Sequence, residues 1–161
     1  MTDFTPTVLI DTREQLPLPI GFPHERGTLT TGDYSFRGGE HLLAVERKSI
    51  PDLIQSLTSE RQRFTRELER LRGYPFSRLL VIGSEEDIAA KRYRSSASPK
   101  AMLHSLYSIE SKFVPVVFAP SAEAGARLVE RWAFWFARSL IQTAGRIRTV
   151  PDVGAKRNER P

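Results

Sequence analysis

The amino-acid sequence predicts an α/β fold, a mixed central sheet flanked by helices, on three observations. Short apolar runs of strand length, Val8-Leu9-Ile10 and Leu79-Leu80-Val81-Ile82 among them, alternate with stretches whose apolar residues recur at helical spacing. Residues suited to open a helix stand between them, such as Ser49 two places before Pro51. The 161 residues are 40% apolar and 27% charged, enough apolar material for one core and too much for a disordered chain. The division expected is one domain over residues 1–142 and a basic, disordered tail over residues 143–161.

Each element has its own signal. Val8-Leu9-Ile10-Asp11 is a short apolar run ending in an acid and predicts a buried central strand. Residues 15–27 hold Pro17, Pro19, Gly21 and Pro23 and predict a loop. A short strand is expected at Tyr34-Ser35-Phe36, the Gly38-Gly39 turn returning the chain antiparallel into a strand over residues 41–48. A first helix follows with Ser49 as its cap and Leu53, Ile54 and Leu57 buried. A second, over residues 60–72, carries Phe64, Leu68 and Leu71 at i, i+4, i+7. Residues 78–83 predict a buried strand, Ser84 a short helix, residues 91–100 a basic serine-rich loop, residues 99–112 a helix and residues 113–119 a strand. Ser121 caps a last helix running to about Gln142. On its wheel Leu128, Val129, Trp132, Trp135, Phe136 and Leu140 face the core, while Phe134 falls opposite among Arg127, Arg131 and Arg138.

Composition excludes several functions. There is no cysteine, hence no disulfide or Cys-based zinc site, and the three histidines, His24, His41 and His104, are scattered. Residues 1–7 have no signal-peptide pattern, and no apolar run approaches the roughly 20 residues that span a bilayer, so a soluble intracellular protein without membrane attachment is expected. A formal net charge of +5 suits a polyanionic partner.

The residues that promise chemistry lie between Gly32 and Asp52. A strand's period of two places Glu46 and Lys48 on one face and Arg47 on the other, and the hairpin can bring Asp33 close to Glu46. Phosphodiester hydrolysis needs a Lewis acid and an activated water, and hard divalent ions prefer carboxylate oxygens while keeping waters of their own. Asp33 and Glu46 would supply the oxygens; Lys48 would orient the water or stabilise developing charge. Asp52, in the first helical turn, suits capping or an accessory catalytic part.

Gly32-Asp33, then Glu46-Arg47-Lys48, then Asp52 resembles the signature of the XPF-type (ERCC-type) structure-specific endonucleases, and Asp11-Thr12-Arg13-Glu14 resembles their opening block. The similarity runs from about residue 8 to residue 136. The resemblance implies a three-layer, restriction-endonuclease-like core and a catalytic set of Asp11, Glu14, Asp33, Glu46, Arg47 and Lys48. Of these, Asp11, Asp33 and Glu46 would be associated with Mg2+ or Mn2+. It implies DNA as partner, branched or flap-like duplex in repair, recombination or replication. Arg63 is the best candidate for a phosphate contact; Arg61-Gln62 stand where the family often has Asp-Gly. Arg13, Arg66, Lys91, Arg92 and Arg94 complete the expected DNA-binding set. Family members work as dimers, so Phe134 with Arg131 is the expected interface of a homodimer or of a partner subunit, DNA stacking being the competing use of Phe134. Typical members also carry a helix-hairpin-helix module, which the stretch after Gln142 is too short to hold.

The function expected is therefore a divalent-metal-dependent DNA endonuclease. The alternative is a catalytically silent DNA-binding or dimerisation partner of a nuclease. A metal enzyme acting on a small phosphorylated substrate is disfavoured because no Gly-rich phosphate loop is present.

Overall fold

A computed structural model describes residues 4–147 of the chain. In chain order the elements are β1 (Val8–Asp11), β2 (His24–Gly27), β3 (Tyr34–Phe36), β4 (Leu43–Ser49), α1 (Ile50–Leu57), α2 (Arg61–Arg72), β5 (Phe76–Ile82), α3 (Glu85–Ala89), α4 (Pro99–Lys112), β6 (Val116–Ala119) and α5 (Ala122–Arg146). The strands form one sheet in the order β2-β1-β3-β4-β5-β6. β1 and β4 are antiparallel to β3, while β2 runs parallel to β1, β5 to β4 and β6 to β5. The expected mixed sheet is present.

Alternation along the strands builds two cores. Ala44, Leu79 and Val81 pack against Leu53, Ile54 and Leu57 of α1, Phe64, Leu68 and Leu71 of α2, and Met102, Leu106 and Ile109 of α4. Val8, Ile10, Tyr34, Leu43, Val45 and Leu80 meet Ala126, Val129, Ala133 and Ala137 of α5 on the opposite face. Three layers follow: helices α1, α2 and α4, then the sheet, then α5. Ser49 caps α1 by accepting the Asp52 N–H, with Pro51 in the first turn, as its sequence position requires.

Several expectations need correction. Residues 24–27, placed in a loop, form edge strand β2; the segment His-Glu-Arg-Gly contains no apolar residue, and an edge strand with little burial leaves no apolar alternation to read. β4 starts at Leu43 because Leu42 N and Leu43 N both donate to Gly39 O, closing a turn over residues 41 and 42. On α5 the buried stripe is Gly125, Ala126, Val129, Ala133 and Ala137. A Cβ on Gly125 would lie 2.7 Å from Ile82 Cδ1, so the helix seats close to the sheet through its smallest residues. A wheel centred on the large apolar residues was rotated from that stripe. Trp135, expected inside, is 64% exposed, whereas Phe134 is half-buried with its ring 6.4 Å from Phe4. Arg131 is exposed. The helix continues to Arg146, and residues 148–161 of the expected tail lie outside the described residues.

Gly32 shows why the turn into β3 needs glycine. Its φ is +80°, and an added Cβ would lie 3.0 Å from Val45 O. Gly32→Ala should therefore cost about 1–3 kcal/mol in denaturant unfolding. Gly38→Ala, at φ +84° with nothing within 4 Å of the added atom, should cost less. Equal losses at both positions would mean that conformation alone, and not the approach to β4, sets the requirement.

Candidate active site

Sheet register brings the acids together. β1 and β3 pair Ile10 with Tyr34, and β3 and β4 pair Tyr34 with Val45. One step further along each strand sets Asp11, Asp33 and Glu46 side by side across three adjacent strands. The backbone confirms the alignment: Asp11 N donates to Asp33 O at 2.8 Å and Asp33 N donates to Val45 O at 2.8 Å. The pleat sends these three side chains to the face that carries α1 and α2, opposite to Ile10, Tyr34 and Val45.

The three carboxylates are held differently. Asp11 is 1% exposed and fully engaged. Its Oδ1 accepts from Arg13 N at 3.0 Å and Arg13 Nε at 2.7 Å, and its Oδ2 from Arg13 Nη2 at 3.2 Å and Leu29 N at 2.8 Å. Burial works against the charge, yet the Arg13 and Leu29 hydrogen bonds hold this carboxyl below its ordinary range. Asp33 accepts Arg47 N through Oδ2 at 2.8 Å, and Glu46 accepts Lys48 Nζ through Oε1 at 3.0 Å. Asp33 Oδ1 and Glu46 Oε2 have no donor among the described residues. Burial first, then the charges of Glu46 and Glu14, push the Asp33 carboxyl up to about 8 against the opposing pull of Arg47 N and Lys48. Burial pushes Glu46 upward too, partly offset by Lys48.

Lys48 is buried, its ammonium 4.9 Å from the centroid of Phe64 on α2. Arg47 points to the other face, where its Nε is 3.6 Å from Glu14 Oε2 and its Nη2 donates to Leu16 O. Glu14 and Arg47 thus brace the segment after β1 from behind the acids. Asp52 is exposed and accepts Ser49 Oγ at 2.6 Å, which completes the α1 cap and does not bring it among the cleft residues.

Asp33 and Glu46 open onto a cleft of about 390 Å³ between two walls. One wall is Asp11, Arg13 and residues 30–33; the other is α2, presenting Arg63, Glu67, Arg70 and Leu71. Of the expected DNA contacts, Arg13 and Arg63 are here, Arg63 lying 3.0 Å from Glu60 and 3.7 Å from Glu67. Arg66 lines an adjoining hollow and Arg94 a groove beyond it. Lys91 and Arg92 line none of these, and Arg92 is tied to Asp87 at 2.8 Å. Glu67 and Arg70 were missed as cleft residues. Their signal was their spacing from Arg63, four and seven places along one helical face, which reads equally well as a solvated stripe.

The donor set suits a hard divalent ion. No three acids or histidines among the described residues close into a cage. Magnesium, however, is ordinarily held by one or two carboxylates plus waters and substrate phosphates, and the free oxygens of Asp33 and Glu46 are of that kind. Two half-buried carboxylates pushed upward together are also what a cation would stabilise.

A family model described as the ERCC4 domain matches residues 10–131. Among solved structures, XPF from Aeropyrum pernix is similar with a TM-score of 0.66 and 23% identity, covering 87% of this chain and 69% of that one. The same protein in complex with DNA gives a TM-score of 0.64 at 22% identity, covering 90% and 68%. No curated protein matches the chain. The fold is thus the XPF nuclease-domain fold, restriction-endonuclease-like in its mixed six-stranded sheet and flanking helices.

Proposed function

Since the chain belongs to the ERCC4 domain family, we propose that it is a DNA endonuclease that hydrolyses phosphodiester bonds with Mg2+ or Mn2+, acting on branched or flap-like duplex. The observation that carries this reading is the row of Asp11, Asp33 and Glu46 across three strands, two of them with an unengaged oxygen beside a cleft rimmed by Arg13, Arg63 and Arg70. Asp33 and Glu46 would hold the ion, which supplies a Lewis acid and an activated water when bound. Asp11 would have to release Arg13 or Leu29 N to join them; as it stands it fastens the first wall. Lys48 keeps Glu46 oriented and offsets its burial, and the arginines receive the phosphates on either side of the cut.

Incubating the chain with labelled branched, nicked and intact duplexes, with and without Mg2+, tests the proposal. Cutting that requires both the ion and Asp33 supports it; tight binding without cutting would leave the silent-partner alternative standing.

The Asp33 shift has a pH consequence. Below about pH 8 the ion-free site holds a proton that an entering cation must displace, so Mg2+ affinity should rise, by up to about tenfold per pH unit, as pH is raised towards 8. Stability runs the other way. The folded state holds that proton more tightly than the unfolded state, so in EDTA the protein loses stability as pH rises from near 4 through about 8. Asp33→Asn should reduce this loss, the remainder belonging to Glu46, whose carboxyl burial also pushes upward. Denaturant midpoints at pH 6 and pH 9 check it, and a wild type that gains stability across that interval would contradict it.

A further inference from the structure

The cleft does not end at Arg63. That residue also lines a hollow of about 610 Å³ over the turn between α1 and α2, with Thr58, Ser59, Arg61 and Arg66. Thr58 and Ser59 in turn line a groove of about 220 Å³ faced on its far side by Tyr93 and Arg94 and floored by Pro51 and Ile54. We propose that these three hollows are one track, which takes a single DNA strand leaving the cleft, carries it over the α1–α2 turn and lays it against Arg94 and Tyr93. The inference rests on the nuclease reading of the cleft and extends it to the form of DNA bound beyond the cut.

Charge along the path suits phosphate. Arg66 and Arg94 are exposed and have no carboxylate within 4 Å among the described residues. Arg92, only two residues from Arg94, is held by Asp87 and is 3.9 Å from Glu86, which separates the usable arginine of this loop from the occupied one. Beyond the cleft the acid lining these hollows is Glu60, already contacted by Arg63 at 3.0 Å and by Gln55 Nε2 at 3.3 Å.

The far groove suits bases. Tyr93 is half-buried, and its hydroxyl donates to Ala97 O at 2.8 Å, so the ring is fixed before anything binds. Pro51 and Ile54 extend an apolar floor beside it. Positively charged grooves with aromatic platforms accept single strands without regard to sequence, because every base has a π face. A single strand is favoured over a duplex by shape. The path bends over a helical turn through small hollows, whereas duplex DNA is stiff over roughly 150 bp and would have to be deformed to follow it.

The test uses the full chain in EDTA and fluorescein-labelled duplexes with or without a dT tail of about 12 nucleotides, a length within the span such grooves occupy. The tail should tighten binding. In the Arg66→Ala/Arg94→Ala double variant that gain should disappear, and the slope of log affinity against log salt for the tailed duplex should flatten by about 1.4, the value for two single-strand phosphate contacts. A Lys100→Ala/Lys112→Ala variant on α4 removes the same charge and should keep both the gain and the slope. A tail that adds no affinity, a gain that survives in the arginine variant, or equal losses in both variants would overturn the track. Failure of the wild type to cut any duplex with Mg2+ would instead overturn the nuclease reading, leaving the tail-dependent binding to be judged by itself.

Discussion

Asp33→Asn or Glu46→Gln should abolish cleavage, lowering turnover at least about 1000-fold, while affinity for DNA changes little. The magnitude follows from what each carboxylate contributes. A bound ion supplies several kcal/mol of transition-state stabilisation, and about 4 kcal/mol corresponds to roughly a thousandfold in rate. Each substitution removes one of the two acids with a free oxygen at the cleft and keeps its shape, so the arginines that would meet phosphate stay in place. Single-turnover cleavage and anisotropy in EDTA separate the two quantities. Wild-type rates in either variant at saturating Mg2+ would remove the metal role from these residues.

Lys48→Ala should lower turnover about 100-fold or more, on the scale of a lost preorganised electrostatic donor. The structure adds a reason beyond that scale. Lys48 is the hydrogen-bonded counter-charge of Glu46, buried beside it, and without it burial would push the Glu46 carboxyl further towards its neutral form. Mg2+ affinity should therefore weaken along with turnover, and both should recover in part at higher pH. Unchanged turnover with a shallower salt dependence of DNA binding would make Lys48 a phosphate contact instead.

Short-range features were legible in the sequence. Period-two alternation sorts Glu46 and Lys48 from Arg47, and Ser49 caps α1; each involves residues within a few places of one another. What sequence could not show depends on contacts between distant segments. Asp11 looks like a free acid at a strand end, but one of its partners is Leu29 N, 18 residues away, in a segment without periodic signal. Whether Glu67 and Arg70 face solvent or a cleft depends on where α2 docks, which its own wheel cannot state. Trp135 lies outside the contact because the closeness of α5 to the sheet selects Ala and Gly for it, a preference that apolar size does not reveal.

The two walls of the cleft are fastened by different physics. The first is tied through directional bonds, with Arg13 joining Asp11 to Leu29 O, and Arg26 donating to Asp11 O and Glu14 O. The second, α2, is seated by Phe64, Leu68 and Leu71, whose apolar contacts have no preferred direction, and the Glu60 at its start provides no side-chain cap. Small sliding of a packed helix disturbs such contacts less than it would disturb a bidentate ion pair. In mechanical terms the cleft is a vice with one jaw fixed by directional bonds and one seated on apolar contacts, so any adjustment of its width would fall on α2, which the cation–π contact of Lys48 and Phe64 ties to β4.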